Sequence, residues 1–411
     1  MNEKRTIGIL YYNIFWLFCI MMSIFPIAQV LSEEFGITAG LVGSIAGVSS
    51  LLMTLLAIPS GVLADRYGKK KMILIAIIVT ILSLVVVTLS RDVLMFTIGW
   101  TLFGISRGLM ITPSFAIVPD ISSPKERGKV MGIVTSSIAI GSAAGYIISG
   151  FLCSSFGWST TFAIFSAIQV LSLLVTLKLK NTGERNTSIT IGKAFVNSFK
   201  WLKYKEVSIS CIIATGYLFI GVYAVIMVPF IADAHDYSLV YVSLMFIPLE
   251  IVTGISAVVF GNISDKFGRI RALVIAQFLI IAALVLLYFL PFDIITFSIV
   301  FAFVGIARGP VLAIFNTVIT DTVMQKNPKE IGAALGTFRT LQGVGVALGP
   351  ILGGVFYEAF GYKLSFLLGA VLAVAMLLLT AVIRSANKAP VMRHFEKSDM
   401  GQKVDLNHGD R

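Results

Sequence analysis

Hydrophobic residues along this chain fall in long runs. Leu10 to Leu31, Met72 to Leu89, Ile270 to Leu290 and Leu364 to Ile383 hold no charge or a single flanking one. About 20 apolar residues in a helix cross the roughly 30 Å hydrocarbon core of a bilayer. Each run therefore predicts a membrane-spanning helix. Divided at charged or Gly/Pro-marked breaks, the chain gives twelve spans. In the first half they lie at 7–31, 39–62, 72–90, 93–118, 129–153 and 159–179. In the second half they lie at 207–232, 239–262, 270–291, 294–319, 331–356 and 363–384. The first run is too long for the core of a signal peptide and is expected to be retained. The predicted fold is an all-α membrane protein of two six-helix bundles, 1–180 and 207–384. A polar linker at 181–206 joins them, and a polar tail at 385–411 is expected to be disordered.

Composition agrees with this reading of the solvent. Of 411 residues, 57% are hydrophobic and 13% charged, against about a quarter charged in soluble domains. The lipid bilayer is thus the expected surrounding. The basic residues gather on alternate loops: Lys4 and Arg5; Arg66 with Lys69 to Lys71; Lys125, Arg127 and Lys129; Lys266, Arg269 and Arg271. The positive-inside rule makes that side cytoplasmic, with both termini on it, in a plasma or inner membrane. The net charge of +11 is then a topology signal. Nucleic acid is not an expected partner, because no basic soluble surface is left over.

In the linker, Ile191, Phe195, Phe199 and Leu202 share one helical face beside Lys193, Lys200, Lys203 and Lys205. That pattern predicts an amphipathic helix on the cytoplasmic interface. Cys19, Cys153 and Cys211 fall in three different spans and suggest neither a disulfide framework nor a zinc site. Asp233, His235 and Asp236 form a loop triplet with no second cluster, so no metal is expected. Neither a nucleophile with a base nor a phosphate-binding glycine loop occurs, and the chain is not expected to be an enzyme or to need a cofactor.

The two halves repeat each other. Gly61, Asp65, Arg66, Gly68 and Lys69 are answered by Gly261, Asp265, Lys266, Gly268 and Arg269. Gly104, Arg107 and Gly108 are answered by Gly305, Arg308 and Gly309. Asp120, Pro124 and Gly132 are answered by Asp321, Pro328 and Gly336. Three pairs in register imply a parallel duplication of six-helix units.

With these motifs the chain resembles the major facilitator superfamily, most closely its drug and metabolite efflux branch. The loop at Gly61 to Lys70 is similar to the signature between helices 2 and 3, and Arg107 to the helix-4 arginine. Gly141, Gly145 and Gly150 match part of the helix-5 antiporter motif, with Tyr146 where that motif has proline. The fuller form, with Gly345, Gly349 and Pro350, falls in span eleven. The resemblance implies two bundles rocking about a central site. It also implies that Asp65 latches the start of span eleven, and Asp265 the start of span five, to shut the inward face. The glycine rows at 141/145 and 345/349 would let backbones approach closely where the bundles meet, or serve ordinary tight packing. A monomer is expected.

Ionisable groups inside spans mark functional sites by default. Here they are Arg107, Glu250, Arg308 and Arg339, with Asn13, Gln29, Tyr217, Tyr223, Asn316 and Gln342 as polar residues that could line the same cavity. The arginines could bind an anionic group, or be structural and bond backbone carbonyls. Glu250 could carry a proton or form a static pair with Arg308. The expected function is proton-coupled export of a small organic solute. Proton-coupled import of sugars or organic acids is the alternative, and a non-transporting solute sensor a third reading.

Overall fold

The computed structural model describes residues 3–123, 126–180, 190–267, 269–326 and 331–386, and among them every regular element is helical. The sequence reading of the tail at 387–411, and of Gly268, falls outside the described residues. So do the side chains at 261–270, 316 and 321, and with them the roles expected for Gly261, Asp265, Arg269 and Asn316.

The first half contains α1 (Glu3–Ser23), α2 (Ala28–Phe35), α3 (Ala39–Tyr67), α4 (Lys69–Thr88), α5 (Val93–Ile121) and α6 (Arg127–Leu177). After the linker helix α7 (Ile191–Phe199) and a 3-10 turn (Lys200–Lys203) come α8 (Lys205–Asp233), α9 (Leu239–Met245) and α10 (Ile247–Phe267). The chain continues through α11 (Arg269–Phe289), α12 (Ile294–Lys326) and α13 (Ile331–Ala386). Among the described residues nine helices are long and apolar enough to cross a membrane. Two of them each cross twice. α6 breaks at Gly157 (φ 82°, ψ 164°) and α13 at Gly361 (φ 71°, ψ 170°), a backbone conformation that glycine adopts without a Cβ clash. With α12, twelve crossings result, as the apolar runs predict.

The duplication is visible in local chemistry. Asp92 Oδ1 accepts from Met95 N at 2.8 Å at the start of α5. Asp293 Oδ2 accepts from Thr296 N at 3.0 Å and from Thr296 Oγ1 at 2.9 Å at the start of α12. Each satisfies a backbone donor that the first helical turn leaves unpaired.

Within each half the same pairs of helices pack, α1 on α6 and α8 on α13, α3 on α5 and α10 on α12. Here the expectation for the interface glycines needs correction. A Cβ on Gly141 would lie 2.4 Å from Phe15 O, and one on Gly145 2.3 Å from Cys19 O. One on Gly345 would lie 2.2 Å from Thr215 O, and one on Gly349 2.8 Å from Phe219 O. These four glycines seat helices inside a half. The seam between halves uses another stripe of α13. A Cβ on Gly354 would meet Ala39 O at 2.3 Å and one on Gly343 would meet Thr54 Oγ1 at 2.0 Å. From α3, one on Gly43 would meet Pro350 O at 2.0 Å and one on Gly47 would meet Ala347 O at 2.4 Å. Residues 345, 349 and 353 advance by four, whereas 343, 347, 350 and 354 advance by four, three and four. The two stripes therefore leave the helix on different faces.

Candidate functional site

Arg107 sits at the middle of α5 and Arg308 on the equivalent turn of α12. Their partners differ. Arg107 is 1% exposed, donates from Nη2 to Ser49 Oγ at 2.8 Å, and lies 5.0 Å from the Phe103 ring centroid. Its Nε has no partner among the described residues. Arg308 Nη1 donates to Glu250 Oε1 at 3.0 Å, with the two side chains 18% and 6% exposed.

Span eight explains why Glu250 can be there. Pro248 lacks the N–H that would carry the helical ladder onward, and the helix is interrupted at Phe246 between α9 and α10. Glu250 thus occupies the first turn of α10, where the helix dipole favours a carboxylate. An unpaired charge at this depth would cost at least about 2.5 to 3.5 kcal/mol. The guanidinium and the helix start together offset that penalty.

The break in span eight, four residues before Glu250, touches the opposite half. Tyr146 from α6 stacks on Phe246, with centroids 4.6 Å apart and planes at 24°. Its ring is within electrostatic reach of Glu250 and Arg308, and its hydroxyl donates to Met22 Sδ at 3.3 Å. The sequence marked Tyr146 only as a departure from a proline. The helical repeat around it gives no sign of a partner 100 residues away.

Other expected cavity residues separate from this site. Asn13 Nδ2 donates to Thr176 Oγ1 at 2.7 Å, binding α1 to α6 inside the first half. Tyr223 donates to Ser365 O at 2.9 Å inside the second half. Tyr217 and Gln342 are buried, with Oη and Nε2 unpartnered among the described residues. Gln29 lies at the end away from the basic loops, where its Nε2 donates to Asp233 Oδ2 at 3.0 Å. Burial holds Asp233 above the usual carboxylate range. Glu33 adds to the shift, the Gln29 bond opposes it, and Asp236 adds again.

The repeated loop is arranged differently from the expected latch. Gly68 alone connects α3 to α4, at φ 100°. Lys69 Nζ bonds Asp120 Oδ2 at 2.6 Å and Ala116 O at 2.8 Å, fastening the loop to α5. Asp65 and Arg66 are exposed, and Asp65 accepts no hydrogen bond among the described residues. Partial burial nevertheless raises the Asp65 pKa; nearby Lys69 opposes the shift and Asp120 adds to it. A comparable cap is made at the other end of the molecule. Gly40 N, in the first turn of α3, donates to Glu358 Oε1 of α13 at 2.5 Å. At the basic end, the Arg339 guanidinium lies 5.8 Å from the Phe115 ring centroid.

Two duplicated six-helix halves, with a buried ion pair in the second and a tight junction between them at one end, define a multi-pass membrane transporter. The comparisons with known proteins agree. The chain belongs to the Major Facilitator Superfamily, whose sequence pattern matches residues 10–327. It is 23% identical to the quinolone resistance protein NorB of Staphylococcus aureus, over 90% of this chain and 92% of that one. It is 25% identical to multidrug resistance protein 2 of Bacillus subtilis, over 87% and 90%. Among solved structures it is similar to a bacterial homologue of the human lysosomal transporter Spinster in an inward-facing, occupied conformation. There the TM-score is 0.79 at 17% identity, covering 92% of this chain and 95% of that one. The human organic anion transporter TETRAN gives a TM-score of 0.71 at 17% identity, covering 92% and 100%.

Proposed function

We propose that this protein exports a small organic solute in exchange for protons, by alternating access of a site between its halves. The carrying observation is the Glu250–Arg308 pair at 3.0 Å, half-way along its spans and bordered by Tyr146 of the other half. Intramembrane carboxylates of this kind mark proton relays, and a pair that can open as its surroundings change offers a place to exchange a proton. Arg107 has no carboxylate partner among the described residues, so the two arginines and one glutamate leave an excess positive charge. That favours anionic or zwitterionic solutes. Export is supported by the relatives named for drug resistance.

Alternating access is supported by the unequal ends. Away from the basic loops, Gly40 binds Glu358, Gln29 binds Asp233, and backbone meets backbone at Gly43 and Gly354. At the basic end Asp65 accepts no hydrogen bond among the described residues. With the basic side cytoplasmic, this is the state open to the cytoplasm, and the Asp65 latch belongs to the opposite state.

Inside-out vesicles test the reading. Solute accumulation driven by an acid interior is expected. Accumulation only in right-side-out vesicles would reverse the direction, and indifference to the proton gradient would remove the coupling ion.

A further inference from the structure

At the basic end, α1 and the second crossing of α6 leave a groove of about 430 Å³ between them. Arg5, Gly8, Ile9 and Tyr12 form one wall, and Leu171, Val175 and Lys178 the other. The spacing explains this: 5, 8, 9 and 12 share one face of α1, and 171, 175 and 178 one face of α6. The groove is of small-ligand size. Its chemistry is graded, with two cations at the helix ends, Gly8, Ile9 and Val175 beyond them, and Tyr12 and Leu171 at the deep end.

The surroundings indicate which ligand it meets. Leu171, on the groove wall, is 50% exposed, and Val170, Leu174 and Leu177 beside it are 45%, 54% and 53% exposed. In a membrane protein such a surface faces acyl chains, so the groove opens to the bilayer. Lys70 Nζ donates to Leu177 O at 2.8 Å, satisfying a terminal carbonyl of α6. Arg5 and Lys178 are exposed and have no carboxylate partner among the described residues. Two cations at interfacial depth above a largely apolar slot complement a phosphate joined to a hydrocarbon chain.

We propose that this groove binds one anionic phospholipid, with its phosphate between Arg5 and Lys178 and an acyl chain along Gly8, Ile9, Leu171 and Val175. The site is separate from the Glu250–Arg308 pair. It needs no particular solute, direction or coupling ion.

Gly8 supplies an unusual control. A Cβ built there meets nothing within 4 Å, so the Gly8→Leu side chain starts in open space and occupies the slot. The experiment is native mass spectrometry and thermal shift on the delipidated full-length chain in detergent. The probes are dioleoyl phosphatidylglycerol, dioleoyl phosphatidylcholine and glycerol 3-phosphate. One phosphatidylglycerol per chain should be retained in preference to phosphatidylcholine, with no response to glycerol 3-phosphate. Near a membrane surface each cation adds roughly a five-fold preference for an anionic lipid. Arg5→Gln and Lys178→Gln should each reduce retention by about that factor, and together by on the order of 30-fold. Gly8→Leu should weaken both lipids. Equal retention of the two lipids, or single and double variants that keep the wild-type preference, would overturn the proposal. An equal response to glycerol 3-phosphate would show a free-anion site and overturn it too.

Discussion

Two arginines at matching positions of a duplicated chain have different partners, a hydroxyl for Arg107 and a carboxylate for Arg308. In the proposed mechanism only the second can be neutralised by a proton. Glu250→Gln should retain solute binding and lose accumulation driven by a pH gradient, measured by counterflow beside gradient-driven uptake in proteoliposomes. If the pair is merely structural, the variant instead fails to fold, since breaking a buried ion pair costs about 3 to 5 kcal/mol. Arg107→Lys keeps the charge and loses the planar fork that reaches both Ser49 and the Phe103 face. Transport should fall by about ten-fold or more with the melting temperature little changed, because a lysine there lacks the planar group that stacks on the ring and forks onto an anion. At this scale the sequence was readable wherever chemistry is rare. Glu250 stands out as an acid inside a span, and the arginines through their repeated Gly-x-x-Arg-Gly setting. Ser49 and Tyr146 were not found, because a serine or tyrosine within a span is common and their significance lies in residues distant along the chain.

Among the helices, glycine acts by permitting contact. Gly145→Val would drive a side chain into the Cys19 carbonyl and Gly349→Val into Phe219. Overpacking of this kind typically costs about 1 to 3 kcal/mol. Both variants should melt clearly below wild type, while Gly132→Ala, with nothing within 4 Å of its Cβ, should match it. The glycine rows were legible from their spacing of four, but a spacing names a face and not its neighbour. Hence the rows expected between the halves turned out to lie inside them. The caps are testable by pH. Hydrogen bonds from the Thr296 backbone and side chain hold Asp293 below the usual carboxylate range, against a smaller opposing effect of burial. A lowered folded-state pKa means the cap stabilises the protein above the unfolded value, near 3.9, and is lost as pH falls through the folded one. The melting-temperature gap between wild type and Asp293→Ala should therefore be full at neutral pH and close on acidification below about 4.

For the whole molecule, the two ends oppose each other. Glu358 caps α3 here, and in the proposed cycle Asp65 makes the corresponding contact in the other state, each contact being worth about 0.3 to 1 kcal/mol at an exposed helix start. Glu358→Gln should increase labelling of cysteines placed near Gly40. Asp65→Asn should increase labelling of cysteines placed at the basic ends of α3 and α13. Unchanged labelling in both would detach these carboxylates from gating. The twelve crossings and the duplication were legible because lipid permits few polar residues inside a span. The state of the transporter was not, since one sequence must serve both states. A further consequence follows from Gly157 and Gly361. At each, two crossings are joined by a single left-handed residue with almost no loop between them. Neither member of such a pair can be threaded into the bilayer and left waiting for the other. During synthesis each pair should enter as a preformed hairpin, and an epitope tag inserted at either glycine should block assembly, whereas one inserted at Asp236 in the α8–α9 turn should be accepted.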